Sequence, residues 1–307
     1  MTRRSPAAGA ALLVAGAIFA ASAVPVAGRP NAAGDAPARA QPPQVPSFSS
    51  RVETVRVDVS VRRDNQPVRG LGAADFEILD NGVRQTIDIV AVEETPVNVV
   101  LALDMSASVQ GERLERLREA GARLVAMLEP GDTAAVVVFD ALVTVASPFT
   151  PDKARLLAAL ERPAGGGDTA LRDATHAALV LADSQPARPL VILFSDGTDT
   201  SSFLQPDLVL DTARRTGPVA YAVVSADADT DDFLDDLVRL TGGRRLEVAS
   251  LDRLSDAFAE ILNESRERYL ISYRPTGVAS GGWHEIEVRV RGRRAEVRAR
   301  PGYLATP

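Results

Sequence analysis

The sequence contains no cysteine among its 307 residues. That absence excludes a disulfide framework and a cysteine for lipid attachment. A domain built without disulfides must be stable through packing, with a bound metal as the one further stabiliser the sequence suggests.

Histidine and lysine are almost absent as well. The two histidines are His176 and His284, and Lys153 is the only lysine. A serine hydrolase needs a histidine beside its nucleophile, but His176 falls inside a predicted helix and His284 in a β-rich tail. Lys153 lacks the glycine-rich setting of a phosphate loop. The net charge of −7 argues against a nucleic-acid partner.

The N-terminal region has the pattern of an export signal. An arginine pair, an alanine-rich apolar stretch over 7–21 and a small-residue site ending at Ala23 predict a signal peptide over 1–23. We expect cleavage after Ala23 and a periplasmic or secreted protein. The alternative is an uncleaved N-terminal anchor, which is the only membrane contact expected. Residues 24–49 are rich in Pro, Ala and Gly and are typical of a disordered linker.

Two β-rich segments enclose the middle of the chain. In residues 50–95, apolar and polar residues alternate over 55–61, and Asp80-Asn81-Gly82 marks a turn. Residues 268–307 contain three further strand-like runs, at 269–273, 283–290 and 295–299. Because neither segment has enough strands to be stable alone, we expect them to form one antiparallel β domain, into which residues 96–267 are inserted.

Residues 96–267 alternate between apolar strands and amphipathic helices. This pattern predicts an α/β domain with a doubly wound, mostly parallel sheet flanked by helices. Thr150 is the predicted N-cap of the second helix. The predicted strands are 98–103, 134–139, 142–147, 190–194, 219–224 and 245–248, and the predicted helices are 111–128, 151–160, 171–183, 206–215, 231–240 and 251–267.

Three predicted loops at strand ends or helix starts carry oxygen-bearing side chains. Asp104, Ser106 and Ser108 follow the apolar run 97–103 at alternate positions, so their side chains can converge. Thr169 ends a glycine-rich loop, and Asp196 directly follows another apolar strand. Ligands bind at the carboxyl ends of strands in such sheets, and carboxylates and hydroxyls suit a small, hard cation such as Mg²⁺.

The order Asp-x-Ser-x-Ser, Gly-Gly-x-Thr and strand–Ser-Asp-Gly resembles the von Willebrand factor A (vWA) fold over residues 96–267. The resemblance implies a metal-ion-dependent adhesion site (MIDAS), with an acidic side chain of a protein partner at the open coordination position. It implies Mg²⁺, with Ca²⁺ or Mn²⁺ as alternatives, and neither catalytic residues nor an organic cofactor. The flanks are similar to exported bacterial vWA proteins, in which a pattern like that of residues 68–82 precedes the domain. The implied metal ligands are Asp104, Ser106, Ser108, Thr169 and Asp196.

Several polar groups near these motifs have simpler interpretations. Asp168 and Asp199 are expected to cap helices or face solvent, with an outer contact to the metal site as the alternative. The acidic run over 227–236 is expected to be a solvated helix start rather than a calcium site. The arginines over 289–300 are expected on the exposed face of a strand pair, although they could meet an anionic surface.

Three functions remain open from the sequence. The first is a non-enzymatic, exported protein that binds a partner for adhesion, assembly or scaffolding through a metal bridge. The alternative is a Mg²⁺-dependent hydrolase or phosphatase that uses the same site. A haloacid dehalogenase-type phosphatase, however, needs a second carboxylate where Ser106 stands. The third is a structural module whose β segments dominate its interactions.

Overall fold

The computed structural model describes residues 54–64, 66–91, 96–161, 166–186, 189–195, 198–226, 232–292 and 294–305. The predicted signal peptide (1–23) and linker (24–49) lie outside the described residues. Among the described residues, no helix has both the length and the apolar character to cross a membrane.

The described part of the chain forms three β-sheets and six α-helices. The strands are β1 (Val55–Arg63), β2 (Gln66–Pro67), β3 (Phe76–Asp80), β4 (Val83–Arg84), β5 (Ile87–Ala91), β6 (Asn98–Asp104), β7 (Thr133–Phe139), β8 (Val143–Thr150), β9 (Pro189–Ser195), β10 (Val219–Ser225), β11 (Arg245–Val248), β12 (Tyr269–Tyr273), β13 (Gly282–Val290), β14 (Glu296–Arg298) and β15 (Gly302–Ala305). The helices are α1 (Glu112–Met127), α2 (Lys153–Leu160), α3 (Leu171–Asp183), α4 (Pro206–Arg215), α5 (Phe233–Thr241) and α6 (Leu254–Arg266).

The middle of the chain folds around a six-stranded sheet in the order β11-β10-β9-β6-β7-β8. All neighbouring strands are parallel except β8, which runs antiparallel to β7. Every residue of β6 is buried, as expected for a strand covered on both faces. The predicted α/β fold with a doubly wound, mostly parallel sheet is confirmed.

Helices cover both faces of this sheet. On one face α1, α2 and α6 contribute buried side chains such as Leu117, Leu156 and Phe258. On the other face α3, α4 and α5 contribute Leu179 and Val209 among others. Full burial of each such side chain stabilises the fold by about 1.5–3 kcal/mol. The packed sheet therefore holds the loops at the ends of its strands in place.

The remaining strands form two antiparallel sheets that share one core. One sheet has the order β14-β1-β12-β5 with β2 beside β1, and the other has the order β15-β13-β3-β4. Alternate residues of β1 face the shared core. Each sheet joins strands from both ends of the chain, because β1 pairs with β12 and β3 pairs with β13. The α/β domain leaves the sandwich after β5 and returns at β12, next to β5 in the same sheet, so it is an insertion.

Two details differ from the sequence predictions. Thr150 does not cap α2, because β8 extends through it. The cap is Asp152, whose Oδ1 accepts hydrogen bonds from the N–H groups of Ala154 and Arg155 at 2.9 and 3.2 Å. Strand β15 was not predicted; it pairs with β13.

A buried ionic cluster joins the inserted domain to the sandwich, at the amino-terminal ends of the parallel strands. The side chains of Glu264 and Arg268 are each 2% exposed. The Glu264 carboxylate lies 2.9 Å from Arg244, 3.5 Å from Arg62 on β1 and 3.9 Å from Arg268. It also accepts a hydrogen bond from Tyr221 at 2.9 Å, and burial raises the pKa of Tyr221 to about 12.

Arg268 connects the two parts of the molecule through main-chain oxygens. Its guanidinium donates to the carbonyl of Asp58 on β1 at 3.0 Å and to that of Gly242 at 2.9 Å. Gly242 has φ +76°, and a Cβ there would lie 2.5 Å from the backbone nitrogen of Arg300. Glycine is therefore required where the C-terminal segment crosses the end of α5.

A second buried carboxylate at the same end is Asp132. It accepts hydrogen bonds from the N–H groups of Val97 and Glu129, both at 2.8 Å, and from Arg266 at 2.6 Å. Burial alone would raise the pKa of Asp132, but Arg266 and the two N–H groups outweigh it and lower the pKa. Burial would likewise raise the pKa of Glu264, and Arg244, Arg268 and Tyr221 together lower it.

Candidate metal centre

Asp104 is the last residue of β6 and is completely buried. Its Oδ1 accepts a hydrogen bond from the N–H of Ser106 at 2.9 Å, which turns the loop back over the strand end. The Oγ atoms of Ser106 and Ser108 are 3.0 Å apart. Ser106 is 1% exposed, whereas Ser108 is exposed. The oxygen atoms of Asp104, Ser106 and Ser108 therefore form a series from the interior to the surface.

This donor set fits a hard divalent cation. Carboxylate and hydroxyl oxygens are typical ligands of Mg²⁺, which binds them at about 2.1 Å in octahedral geometry. In that geometry, two neighbouring ligand oxygens subtend a right angle at the ion and are therefore about 3.0 Å apart. The Oγ atoms of Ser106 and Ser108 have this separation. The described residues contain no cluster of three or more His, Cys, Asp or Glu side chains placed to hold a metal. A metal centre among the described residues would therefore need hydroxyl ligands beside the carboxylate of Asp104.

The structure brings the glycine-rich loop against the Asp104 loop. The N–H of Ala107 donates to the carbonyl of Gly167 at 3.2 Å, and the N–H of Gly166 donates to that of Met105 at 3.4 Å. Gly167 has φ +95°, a conformation that favours glycine. Thr169, two residues later, is 6% exposed. The predicted ligand Thr169 therefore belongs to a loop in direct contact with the loop of Asp104.

Thr169 is held by the segment that follows β9. Its N–H donates to Thr200 Oγ1 at 2.8 Å, and its carbonyl accepts from the N–H of Thr200 at 2.9 Å. On the other side, the N–H of Ala170 donates to the carbonyl of Asp140 at 2.7 Å. The start of α3 is thereby fixed between the loops after β7 and β9.

The third predicted loop is represented by Ser195, the last residue of β9. Ser195 is 1% exposed and donates its hydroxyl to Asp104 Oδ2 at 2.7 Å. Asp196, the predicted ligand directly after it, lies outside the described residues and stays a prediction. Sequence reasoning assigned no role to Ser195 or Thr200. The available signals for Ser195 were its position at the end of a buried strand and its place in the Ser-Asp-Gly motif.

Other candidates from the sequence have structural roles. Asp199 Oδ1 accepts from the N–H of Arg172 in the first turn of α3 at 3.2 Å, and Oδ2 lies 3.3 Å from the Arg172 guanidinium. The helix-capping interpretation of Asp199 is confirmed, and Asp168 is exposed. His176 on α3 is hydrogen-bonded to Thr212 at 3.1 Å.

The acidic run and the C-terminal arginines are also resolved in part. Residues 227–231 lie outside the described residues, and Asp235 at the start of α5 pairs with Arg245 at 3.0 Å. Arg289 is exposed and pairs with Glu287 at 2.5 Å, as expected for an outer strand face. The expectation is wrong for Arg300, whose guanidinium turns inward and donates to the carbonyls of Arg214, Thr216 and Gly302 at 2.9, 3.1 and 2.7 Å.

The comparisons with known proteins agree with this fold. Residues 99–198 match the family model described as the von Willebrand factor type A domain. Inter-alpha-trypsin inhibitor heavy chain H4 from Homo sapiens is 29% identical over an alignment 190 residues long, which covers 55% of this chain and 20% of the human protein. The chain therefore spans about a fifth of that relative.

Two groups of solved structures share the fold at low sequence identity. A von Willebrand factor type A structure from Catenulispora acidiphila aligns with a TM-score of 0.53 and 14% identity, over 84% of this chain and 74% of that one. Proximal thread matrix protein 1 from the mussel byssus, solved with a zinc-occupied MIDAS motif, aligns with a TM-score of 0.51 and 18% identity. The alignment covers 61% of this chain and 49% of the byssus protein.

Proposed function

Because the chain carries a von Willebrand factor type A domain, we propose that this domain binds a divalent metal ion and, through it, an acidic side chain of a protein partner. The observation that carries the proposal is the hydroxyl pair of Ser106 and Ser108, 3.0 Å apart beside the buried carboxylate of Asp104. The proposed ligands are Asp104, Ser106, Ser108, Thr169 and Asp196.

The chain's own residues prepare the site. Ser195 and the N–H of Ser106 fix the two oxygens of Asp104 through bonds of 2.7 and 2.9 Å. Thr200 fixes the backbone of Thr169. Such outer hydrogen bonds orient the ligands and thereby increase metal affinity. When bound, the ion supplies positive charge and an open position for a partner's carboxylate.

We propose Mg²⁺ as the ion, with Ca²⁺ and Mn²⁺ as alternatives, because all five proposed ligands are oxygen donors. The byssus relative holds zinc in its MIDAS motif, so zinc belongs in the same binding series. A direct competition among these ions at equal concentration will rank them.

A binding role is favoured over a hydrolase or phosphatase. Moving protons requires an acid or base beside the reacting atoms. In the described part of the chain, both histidines are engaged elsewhere: His176 bonds to Thr212, and His284 lies buried in the sandwich against Asp80 at 2.7 Å. We propose a non-enzymatic adhesion, assembly or scaffold role for an exported protein. Cell fractionation would test the export.

Isothermal titration with MgCl₂ and MnCl₂ tests the metal site. We expect Asp104→Ala to weaken binding at least about 100-fold and Ser106→Ala at least about tenfold. The matched control is Ser250→Ala, because Ser250 is an exposed serine that makes no side-chain capping bond, and this variant should bind like the wild type. Equal affinity in the wild type and Asp104→Ala would refute the proposed centre.

A further inference from the structure

Two large apolar side chains are strongly exposed near the candidate metal centre. Phe203 is 89% exposed and Leu142 is 74% exposed. No other large apolar side chain among the described residues exceeds the 60% of Ile89. Exposed apolar groups that lie together are typical of interaction surfaces.

The sheet order places the loops that carry these two side chains after the strands on either side of β6. Strand β6, which ends at Asp104, lies between β9 and β7. Leu142 lies in the turn after β7, and Phe203 lies in the segment that follows β9. Because neighbouring strands are about 4.8 Å apart, the loops that carry these residues flank the carboxylate at the same edge of the sheet.

Both loops are fixed by hydrogen bonds in the arrangement that exposes these side chains. The N–H of Leu142 donates to Asp140 Oδ1 at 2.8 Å. The N–H groups of Phe203 and Leu204 donate to the two carboxylate oxygens of Asp173, at 3.0 and 2.9 Å. Ordered turns therefore hold both side chains in exposed positions. The fold lacks the stabilisation that burial of each side chain would give.

The charges around these residues limit which partner can bind. Four carboxylates lie on these two loops and on the adjoining segment from Asp168 to Asp173, and the Arg172 guanidinium is already paired with one of them, that of Asp199, at 3.3 Å. A segment with several acidic residues would be repelled, because like charges at a rim disfavour binding. The other three carboxylates belong to Asp140, Asp168 and Asp173.

We propose that Phe203 and Leu142 receive apolar side chains on either side of the single acidic residue that a partner polypeptide presents to the metal ion. This inference rests on the proposed metal bridge and adds the sequence class of the partner. The preferred segment has one carboxylate, large apolar residues within one or two positions of it, and no second acid.

A peptide-display selection tests this preference. The purified protein is immobilised, and a random heptapeptide library is selected in MgCl₂ and, separately, in EDTA. The same selections use Asp104→Ala, Phe203→Ser, Leu142→Ser and the control Ile89→Ser, because Ile89 is 60% exposed but lies on β5 of the sandwich. Enriched peptides are then synthesised, and their dissociation constants are measured by fluorescence anisotropy.

We expect Mg²⁺-dependent enrichment of peptides with one acid beside large apolar residues. Phe203→Ser and Leu142→Ser should each weaken their binding about tenfold, with Mg²⁺ affinity by calorimetry unchanged, and Ile89→Ser should have no effect. Metal-dependent enrichment of acidic peptides without apolar neighbours would overturn the apolar contacts but leave the metal bridge intact. The absence of metal-dependent enrichment would overturn the proposed function and this inference with it.

Discussion

Buried carboxylates at the two ends of the six-stranded sheet are surrounded by different kinds of hydrogen-bond donors. At the amino-terminal end, Glu264 lies within 3.9 Å of three guanidinium groups. At the carboxyl-terminal end, Asp104 is equally buried and accepts hydrogen bonds from a main-chain N–H and the hydroxyl of Ser195. Both residues are buried acids, but these two donors of Asp104 are neutral, whereas three of the groups around Glu264 are cations.

This difference separates a structural carboxylate from one suited to a cation. Guanidinium groups compensate the charge of a carboxylate, and the resulting buried cluster is strongly destabilised when one partner is removed. Neutral donors fix the direction of a carboxylate and contribute no positive charge. Burial of an acid alone therefore does not indicate a metal site; the kind of donor around it is more informative.

The largest expected effect follows from breaking the amino-terminal cluster. Arg268→Met would leave Glu264 with weaker compensation and would remove the hydrogen bonds that Arg268 donates to the carbonyls of Asp58 and Gly242. We expect a loss of about 3–5 kcal/mol in the free energy of unfolding, measured by urea denaturation with circular dichroism and the fluorescence of Trp283. Exposed Arg289, replaced by Met, should have little effect. A similar small change for Arg268→Met would show that the cluster does not hold the two domains together.

Acidification should affect the same end of the sheet. The pKa values of Asp132 and Glu264 are lowered in the folded protein. Their stabilisation is therefore complete above the ordinary carboxyl pKa of about 4, and it is lost as the pH falls through the lowered folded-state values. Unfolding curves between pH 7 and pH 2 should show this loss, and Glu264→Gln should make the acid dependence shallower. If the dependence of the free energy of unfolding on pH were the same in Glu264→Gln and the wild type, Glu264 would be excluded as a source of the acid-induced loss of stability.

A smaller and different effect is expected at the carboxyl-terminal end of the sheet, which carries the proposed metal site. Ser195→Ala removes one donor that orients Asp104. We expect Mg²⁺ affinity to fall about 10- to 100-fold, while the free energy of unfolding without metal changes by about 1 kcal/mol. Titration calorimetry and urea denaturation of the same preparations separate the two quantities. A large stability loss with unchanged affinity would make Ser195 structural, like the residues at the other end.

The smallest effect concerns Arg300. Its guanidinium binds the last carbonyls of α4, and burial lowers its pKa. Arg300→Met should lower the free energy of unfolding by about 1 kcal/mol, as expected for the loss of a cation at a helix C-terminus. The Mg²⁺ affinity should not change. If Arg300→Met lowered the free energy of unfolding as much as Arg268→Met, the C-terminal segment would be the main connection between the two domains.

Local patterns predicted most of the fold. The nearly uninterrupted apolar run 97–103 and the alternation in β1 each reflect a pattern that burial imposes on neighbouring residues. The cap of α2 was placed at Thr150 rather than Asp152, because several hydroxyl and acidic residues there can cap a helix. Strand β15 is four residues long, too short for a periodic signal.

The contacts that organise the two ends of the sheet were not predicted, because they join distant residues. Ser195 and Asp104 are 91 positions apart, and Arg268 and Asp58 are 210 apart. A serine or an arginine has the same local appearance whether it faces solvent or meets a buried partner. Arg300 illustrates the limit, since it belongs to an alternating arginine series but turns inward onto α4.

The insertion of the α/β domain determines how mechanical load would pass through the molecule. Val55 pairs with Tyr273 at the end of the β1–β12 ladder away from the insertion, and Val59 pairs with Tyr269 at the near end. A pull between the chain before Val55 and the end of the sheet that carries the proposed metal site would shear these antiparallel strands along their length. Inter-strand hydrogen bonds are perpendicular to that direction, so the ladder must slide as a unit and cannot open one bond at a time.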